Sequence, residues 1–390
     1  IYIYIIMADN MPDNIKSGLN SIKGNVGNTI KSLTNLDRNK KIQIIIIIII
    51  VCLLLTIFFY IYSKVNLLKT NCKNLSKIYD TRPSLSPVPK NTNYLLRDFY
   101  IKTAYNACAT GQFKNDYVGL CALRTCINQG VRCLDFEIYS INDKPVVAVS
   151  SVEDFKVKES YNSLPTAEVF QMINNLAFSG SQCPNSNDPL ILHFRILSKN
   201  VVIYNILANE IATYLNDRIL GVNYSYENSG HNLGAVPIKK FIGKIILIVD
   251  GSNPLFRKTK LDEYVNMTSG SPFMRIMHYG NLKNTHDLTL KSFNKQHMSI
   301  VLPDWSNYDN NPNFNIARQY GCQLIGMSYQ NFDTNLEHYN AFFDGERTAF
   351  VLKPAKLRYI PVTVTVPDKP PASYSYQNRA VTTDYYDYTI

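Results

Sequence analysis

Apolar positions change character along the chain. From Ile42 to Tyr62 they form one uncharged block, with isoleucine at every position from Ile44 to Ile50 and Phe58, Phe59, Tyr60 and Tyr62 at its end. About 20 apolar residues span the hydrocarbon core of a bilayer, and aromatic side chains suit its interface. A signal peptide has a shorter apolar core, nearer the N-terminus, and a small-residue cleavage site. The block therefore predicts a transmembrane helix over 42–62. Before it, Ile15, Leu19, Ile22, Val26, Ile30 and Leu33 recur every three or four positions beside Lys16, Lys23 and Lys31. This is a helical stripe suited to a membrane interface, weakened by Gly18, Gly24 and Gly27. Residues 1–41 thus read as a partly amphipathic N-terminal tail, and residues 1–6, ahead of Met7, as upstream translated sequence.

After the block, residues 63–92 are polar, contain Pro83, Pro87 and Pro89, and read as a tether. From 93 to 363 short β-rich runs follow at 100–105, 132–139, 145–150, 189–197, 244–250, 297–302, 322–329 and 348–352, with helical periodicity at 117–129, 166–178 and 201–219. Alternating strands and helices predict an α/β fold with a parallel sheet, and this number of strands over such a length predicts a (β/α)8 TIM-type barrel. Residues 364–390, rich in proline, threonine and tyrosine, read as a mobile tail.

Composition refines this only in part. Charged residues make up 18% and hydrophobic ones 46%, enough for a sizeable core. The formal charge of +10 attracts anionic surfaces. No nucleic-acid module accompanies it and the lysines are scattered, so the expected partner is a membrane, with an anionic lipid or a protein as further candidates, and no nucleic acid. Abundant tyrosine, isoleucine, asparagine and lysine read as the codon bias of an AT-rich genome, as in many large DNA viruses. Arg38, Lys40 and Lys41 flank one end of the apolar block and Lys64, Lys69, Lys73 and Lys77 the other, so charge does not set its orientation. The cysteines (52, 72, 108, 121, 126, 133, 183 and 322) include no CxxC pair, which argues against zinc. Outside the apolar block their number is odd, which argues against a complete disulfide framework. Sequons at Asn74, Asn223 and Asn266 carry little weight in so asparagine-rich a chain.

The segment from Gln129 to Tyr139, followed by Pro145-Val146-Val147, resembles the X half of the eukaryotic phosphoinositide-specific phospholipases C. Ala177-Phe178, Pro189 to Leu192 and Phe241 to Ile248 are similar to further stretches of that half. Pro303 with Ser306-Asn307-Tyr308 and Pro312, then Gly321 to Leu324, Ser328 to Asn331, and Val351 to Pro354 with Leu357-Arg358, resemble the Y half. The X-like half covers about 97–250 and the Y-like half about 293–358. The resemblance implies the family's barrel fold and, in a typical member, calcium-dependent cleavage of an inositol phosphodiester.

The residues that would perform that reaction are changed. At the family's histidine positions stand Tyr105 and Val149. A valine moves no proton, and a tyrosine with a pKa near 10 is a poor base at neutral pH. Of the calcium ligands Asn106 remains, the acidic pair persists in inverted order as Asp135 and Glu137, and the last glutamate is replaced by Arg195. The phosphate-binding lysines correspond to Val249 and Gly251, and an arginine–tyrosine pair to Ile300 and Leu302. The expectation is a vestigial site of Asn106, Asp135, Glu137, Arg195 and His193, with no catalytic residue and no cofactor. Arg195, facing inward by strand alternation, would replace calcium as counter-charge. Any metal would fall to Asn106, Asp135 and Glu137. His193 reads as a hydrogen-bonded core histidine, or a surrogate acid or base, and His231 as solvated; Cys133 and Cys322 read as reduced packing thiols. The function expected is a membrane-anchored phospholipase C-like pseudoenzyme that binds or scaffolds. The alternative is an active phosphoric diester hydrolase using Asp135, Glu137 and His193. A virion or host-cell membrane is among the locations left open.

Overall fold

The computed structural model describes residues 37–152, 158–283, 288–305, 310–361 and 378–390, with isolated positions 17, 21, 24 and 371. The stripe from Ile15 to Leu33 lies, apart from positions 17, 21 and 24, outside the described residues. Two units are distinguished, Ile1–Lys77 and Ile78–Ile390. In the first, helix α1 (Arg38–Val65) begins at Asp37, whose carboxylate accepts from the Arg38 N–H at 2.9 Å. With 28 residues and a mean hydropathy of 3.5 in its most apolar stretch, α1 is long and apolar enough to cross a bilayer. It extends the predicted block at both ends. Helix α2 (Leu67–Ile78) stands where the tether was expected to begin; Leu67, Leu68, Leu75 and Ile78 give it a helical apolar stripe, and its Cys72 is disulfide-bonded.

In the second unit the strands are β1 (Phe99–Ala104), β2 (Cys133–Ile141), β3 (Lys144–Ala148), β4 (Leu164–Pro165), β5 (Leu190–Ile196), β6 (Ile245–Asp250), β7 (Met267–Ser269), β8 (Met274–His278), β9 (Met298–Leu302), β10 (Leu324–Met327) and β11 (Phe350–Leu352). In the order β7-β6-β5-β2-β1-β10-β9-β8 they form a nearly closed barrel of parallel strands. Among the described residues no ladder joins β7 to β8; a turn with Gly270 N–H on the Met274 carbonyl at 2.8 Å links them. Gly270, at φ +82°, provides the left-handed backbone that this turn requires. Helices α3 (Leu120–Asn128), α4 (Thr166–Ala177), α5 (Val201–Tyr214), α6 (Leu288–Gln296), α7 (Phe314–Gln319) and α8 (Thr334–Gly345) alternate with the strands. Phe170 of α4 stacks on Phe194 of β5, which meets Phe136 of β2. These rings mark the outer, helix-facing side of the wall.

The barrel fold is as expected, but two strands were assigned wrongly. Run 145–150 contains β3, which folds back antiparallel on β2. Asn142 and Asp143, both left-handed, make the tight turn a two-residue hairpin requires. Run 348–352 contains β11, antiparallel to β1. The wall is completed by β7, three residues long, and half-buried β8, both too short or too polar to show as β-rich runs.

The second half of the expected tether is packed against the barrel. Tyr79 donates to the Tyr329 carbonyl at 2.8 Å, Gln129 to the Thr81 carbonyl at 2.8 Å, and Asp188 accepts from the Val88 N–H at 2.7 Å. Leu85 and Val88 are buried. In the expected tail, β12 (Ala380–Thr382) pairs antiparallel with β13 (Asp387–Thr389). Cys121 is disulfide-bonded, whereas Cys108, Cys126, Cys133, Cys183 and Cys322 are free and buried.

Candidate functional site

Register brings the chemistry to the C-terminal mouth of the barrel. Asp135 of β2 lies level with His193 of β5, and Glu137 with Arg195. Level residues on neighbouring strands share a face, so these four project inward while Phe136 and Phe194 project outward. Asn106 follows β1 in left-handed backbone, φ +45°, a conformation asparagine tolerates. There its N–H reaches Asp135 Oδ2 at 3.1 Å and its Nδ2 reaches Glu137 Oε1 at 3.0 Å.

Arg195 sits at the centre. Its Nε donates to Asp135 Oδ1 at 3.0 Å and its Nη2 to Asp135 Oδ2 at 2.7 Å, a bidentate pair. Nη1 reaches Glu137 Oε1 at 2.9 Å, and Nη2 also reaches Asn106 Oδ1 at 2.9 Å. The guanidinium lies 4.7 Å from the Tyr105 ring centroid and 5.6 Å from that of Trp305, within cation–π range of both. It is 3% exposed, and Asp135, Glu137 and His193 are fully buried.

Burial works to lift both carboxyls. At Asp135 the Arg195 charge, with hydrogen bonds from His193 and Arg195, outweighs it and holds the carboxyl well below the usual range. At Glu137 burial prevails over Arg195, Asn106 and Tyr139, and the carboxyl is raised. Burial also opposes charge on Arg195, but Asp135, Tyr105 and Glu137 keep it firmly protonated.

Three further groups belong to the cluster and were missed in the sequence. Tyr139 donates to Glu137 Oε2 at 2.9 Å, and the Ser150 N–H, delivered by the β3 hairpin, does the same at 2.9 Å. Ser269 Oγ of β7 is 2.9 Å from His193 Nε2, while His193 Nδ1 is 2.7 Å from Asp135 Oδ1. Tyr139 was within reach of strand alternation, two residues beyond Glu137. Ser269 gave no signal, because its strand is so short.

The remaining expected positions are elsewhere. Val149 is buried in the apolar core. Val249 lies level with Phe194, hence on the helix-facing side, so the inward neighbours on β6 are Ile248 and Asp250. Val249, expected at a lost phosphate contact, thus does not face the mouth. Gly251 has no side chain to offer, and a Cβ there would meet the Ser269 carbonyl oxygen at 2.9 Å. Ile300 and Leu302 are buried in β9. His231 is exposed. The motif Ser306-Asn307-Tyr308 lies outside the described residues.

A barrel of this topology, with acidic and amide side chains gathered at its C-terminal mouth, is a TIM-type barrel that carries its polar cluster where such barrels carry their sites. Residues 256–356 match the family model for the Y domain of phosphatidylinositol-specific phospholipase C. PLC21 of L. pealei superimposes with a TM-score of 0.55 at 16% identity, and PLC21 of S. officinalis with 0.54 at 17%. Each alignment covers 69% of this chain and 38% of the other, so the chain spans well under half the length of these proteins. No curated protein matches it in sequence. The chain is a phosphatidylinositol-specific phospholipase C-like protein.

Proposed function

We propose that this is a membrane-anchored, catalytically inactive phospholipase C-like protein that acts as a binding or structural module. The observation that carries the reading is the Arg195 guanidinium, bonded at once to Asn106, Asp135 and Glu137. These are the oxygens a calcium ion would need, and a fixed positive charge among them repels a divalent cation. The residues present therefore do not fit the metal that the family implies. Neither Tyr105 nor Val149 supplies an acid or base suited to neutral pH. Helix α1 supports the anchor by length and composition.

The test incubates the full chain, in detergent, with phosphatidylinositol and with glycerophosphodiesters, with and without calcium or magnesium. No turnover is expected. Metal-dependent turnover abolished by Glu137→Ala would overturn the reading. One observation favours a second reading, an active hydrolase: the Asp135–His193–Ser269 hydrogen-bonded chain has the order of a proton relay. All three residues are buried beneath Arg195 and its aromatic neighbours. Metal-independent turnover lost in both His193→Gln and Ser269→Ala would establish that reading instead.

A further inference from the structure

A pocket of about 660 Å³ opens at the end of the barrel opposite Arg195. Tyr100, near the start of β1, forms part of its floor with Phe342, Val351 and Leu357, and Lys291, Arg318 and Lys356 line it. Five residues of strand separate Tyr100 from Tyr105, about 17 Å at roughly 3.3 Å per residue, so this pocket and the mouth do not share a space. Its size is that of ordinary small-molecule sites.

Lys291, Arg318 and Lys356 stand there without charge partners among the described residues, none of them forming an ion pair. The half-buried Arg318 guanidinium lies 4.8 Å from the Phe342 ring centroid and 5.4 Å from that of Phe314, and donates no hydrogen bond among the described residues. Its backbone carbonyl is fixed by the Tyr100 hydroxyl at 2.8 Å. Lys291 lies over the Tyr320 ring at 5.6 Å. Stacking orients a guanidinium and leaves its N–H edge free for an anion. Among the described residues the only acidic side chain lining the pocket is Glu346. Three cations against one carboxylate leave a surplus of two charges, which a phosphate monoester dianion would balance; the aromatic and aliphatic floor would take an apolar stem.

We propose that this pocket binds a phosphate monoester carried on an apolar group, either a soluble ester or the headgroup of an anionic lipid. Arg318 takes the phosphate through its free fork, and Lys291 and Lys356 complete the charge.

The experiment titrates the full chain, in nanodiscs of phosphatidylcholine, with phenyl phosphate and with inorganic phosphate, following heat release. Phenyl phosphate is expected to bind at least tenfold more tightly than inorganic phosphate. The double variant Lys291→Glu/Lys356→Glu is expected to weaken it at least tenfold, with an unchanged melting temperature. Arg318→Gln should weaken it similarly, and serves as the second variant should the double one not fold. Nanodiscs containing phosphatidic acid separate the sources: a weaker apparent affinity for phenyl phosphate identifies the lipid headgroup, and an unchanged one the soluble ester. Absence of binding in the wild type, or equal affinity in folded variants, overturns the proposal. Equal affinity for the two phosphates overturns the role of the apolar floor.

Discussion

Replacing Arg195 with methionine is the sharpest perturbation of the mouth. It removes four hydrogen bonds and the only cation that touches Asp135 and Glu137 among the described residues. Two buried carboxyls and one amide oxygen are then left facing one another. Removing one partner of a buried ion pair costs about 3–5 kcal/mol, and at about 2.1 cal/mol/K of unfolding entropy per residue that corresponds, for a barrel of this size, to a fall in melting temperature of roughly 5–8 °C. The loss should depend on pH. In the wild type the Asp135 carboxyl is depressed by Arg195, so its contribution is present above the unfolded aspartate pKa near 4 and lost as pH falls through the lower folded value. Without Arg195, burial lifts that carboxyl instead. The gap between the two proteins is therefore expected to narrow from pH 7 towards pH 4. The variant also exposes an oxygen cage of Asn106, Asp135 and Glu137, so millimolar calcium should raise its melting temperature and leave the wild type unmoved; saturation at a hundredfold excess over Kd corresponds to about 2.7 kcal/mol. Differential scanning fluorimetry at several pH values, with and without calcium, reads all three effects. A variant as stable as the wild type at pH 7 would refute the reasoning, because the guanidinium would then contribute nothing net.

Other sites give independent checks. Lys353 is buried, donates to the Asn294 carbonyl at 2.7 Å and to that of Gly321 at 3.3 Å, and burial pulls its pKa down to about 7. Between that value and the unfolded lysine value the unfolded chain holds more protons, so stability should rise from pH 7 to 10, and Lys353→Met should flatten the slope in urea titrations. Gly251→Ala places a Cβ 2.8 Å from Thr268 Cγ2 and 2.9 Å from the Ser269 carbonyl oxygen, and is expected to cost about 1–3 kcal/mol in the same titrations. Cys121 is disulfide-bonded, and such bonds persist in oxidising compartments. Mass spectrometry of the native chain should find Cys121 closed to alkylation until reduction; labelling without reductant would place the barrel in a reducing compartment.

The mouth was legible wherever strand alternation applied. Asp135, Glu137, His193 and Arg195 lie on long regular strands, so a period of two fixes their faces, and their meeting follows from register. The β6 positions came from the motif resemblance instead, and register turns Val249 to the helix-facing side. Ser269 was illegible because three residues carry no period. Strands β3 and β11 misled for another reason: buried alternation does not distinguish a wall strand from one folded back antiparallel. The packing of residues 79–92 was hidden too, because it rests on backbone carbonyls and on Asp188, which leave no trace in composition.

Among the described residues β7 and β8 are joined by the Gly270–Met274 turn and by no ladder, which makes the wall a curled ribbon rather than a ring. A ring held by ladders all the way round can change its girth only by breaking hydrogen bonds. A ribbon can widen at its free edges while every ladder stays intact. Ser269 closes one of those edges, so the hydroxyl that touches His193 sits where the barrel yields most cheaply. Parting of those edges would open a way to the histidine that leaves the Arg195 network in place.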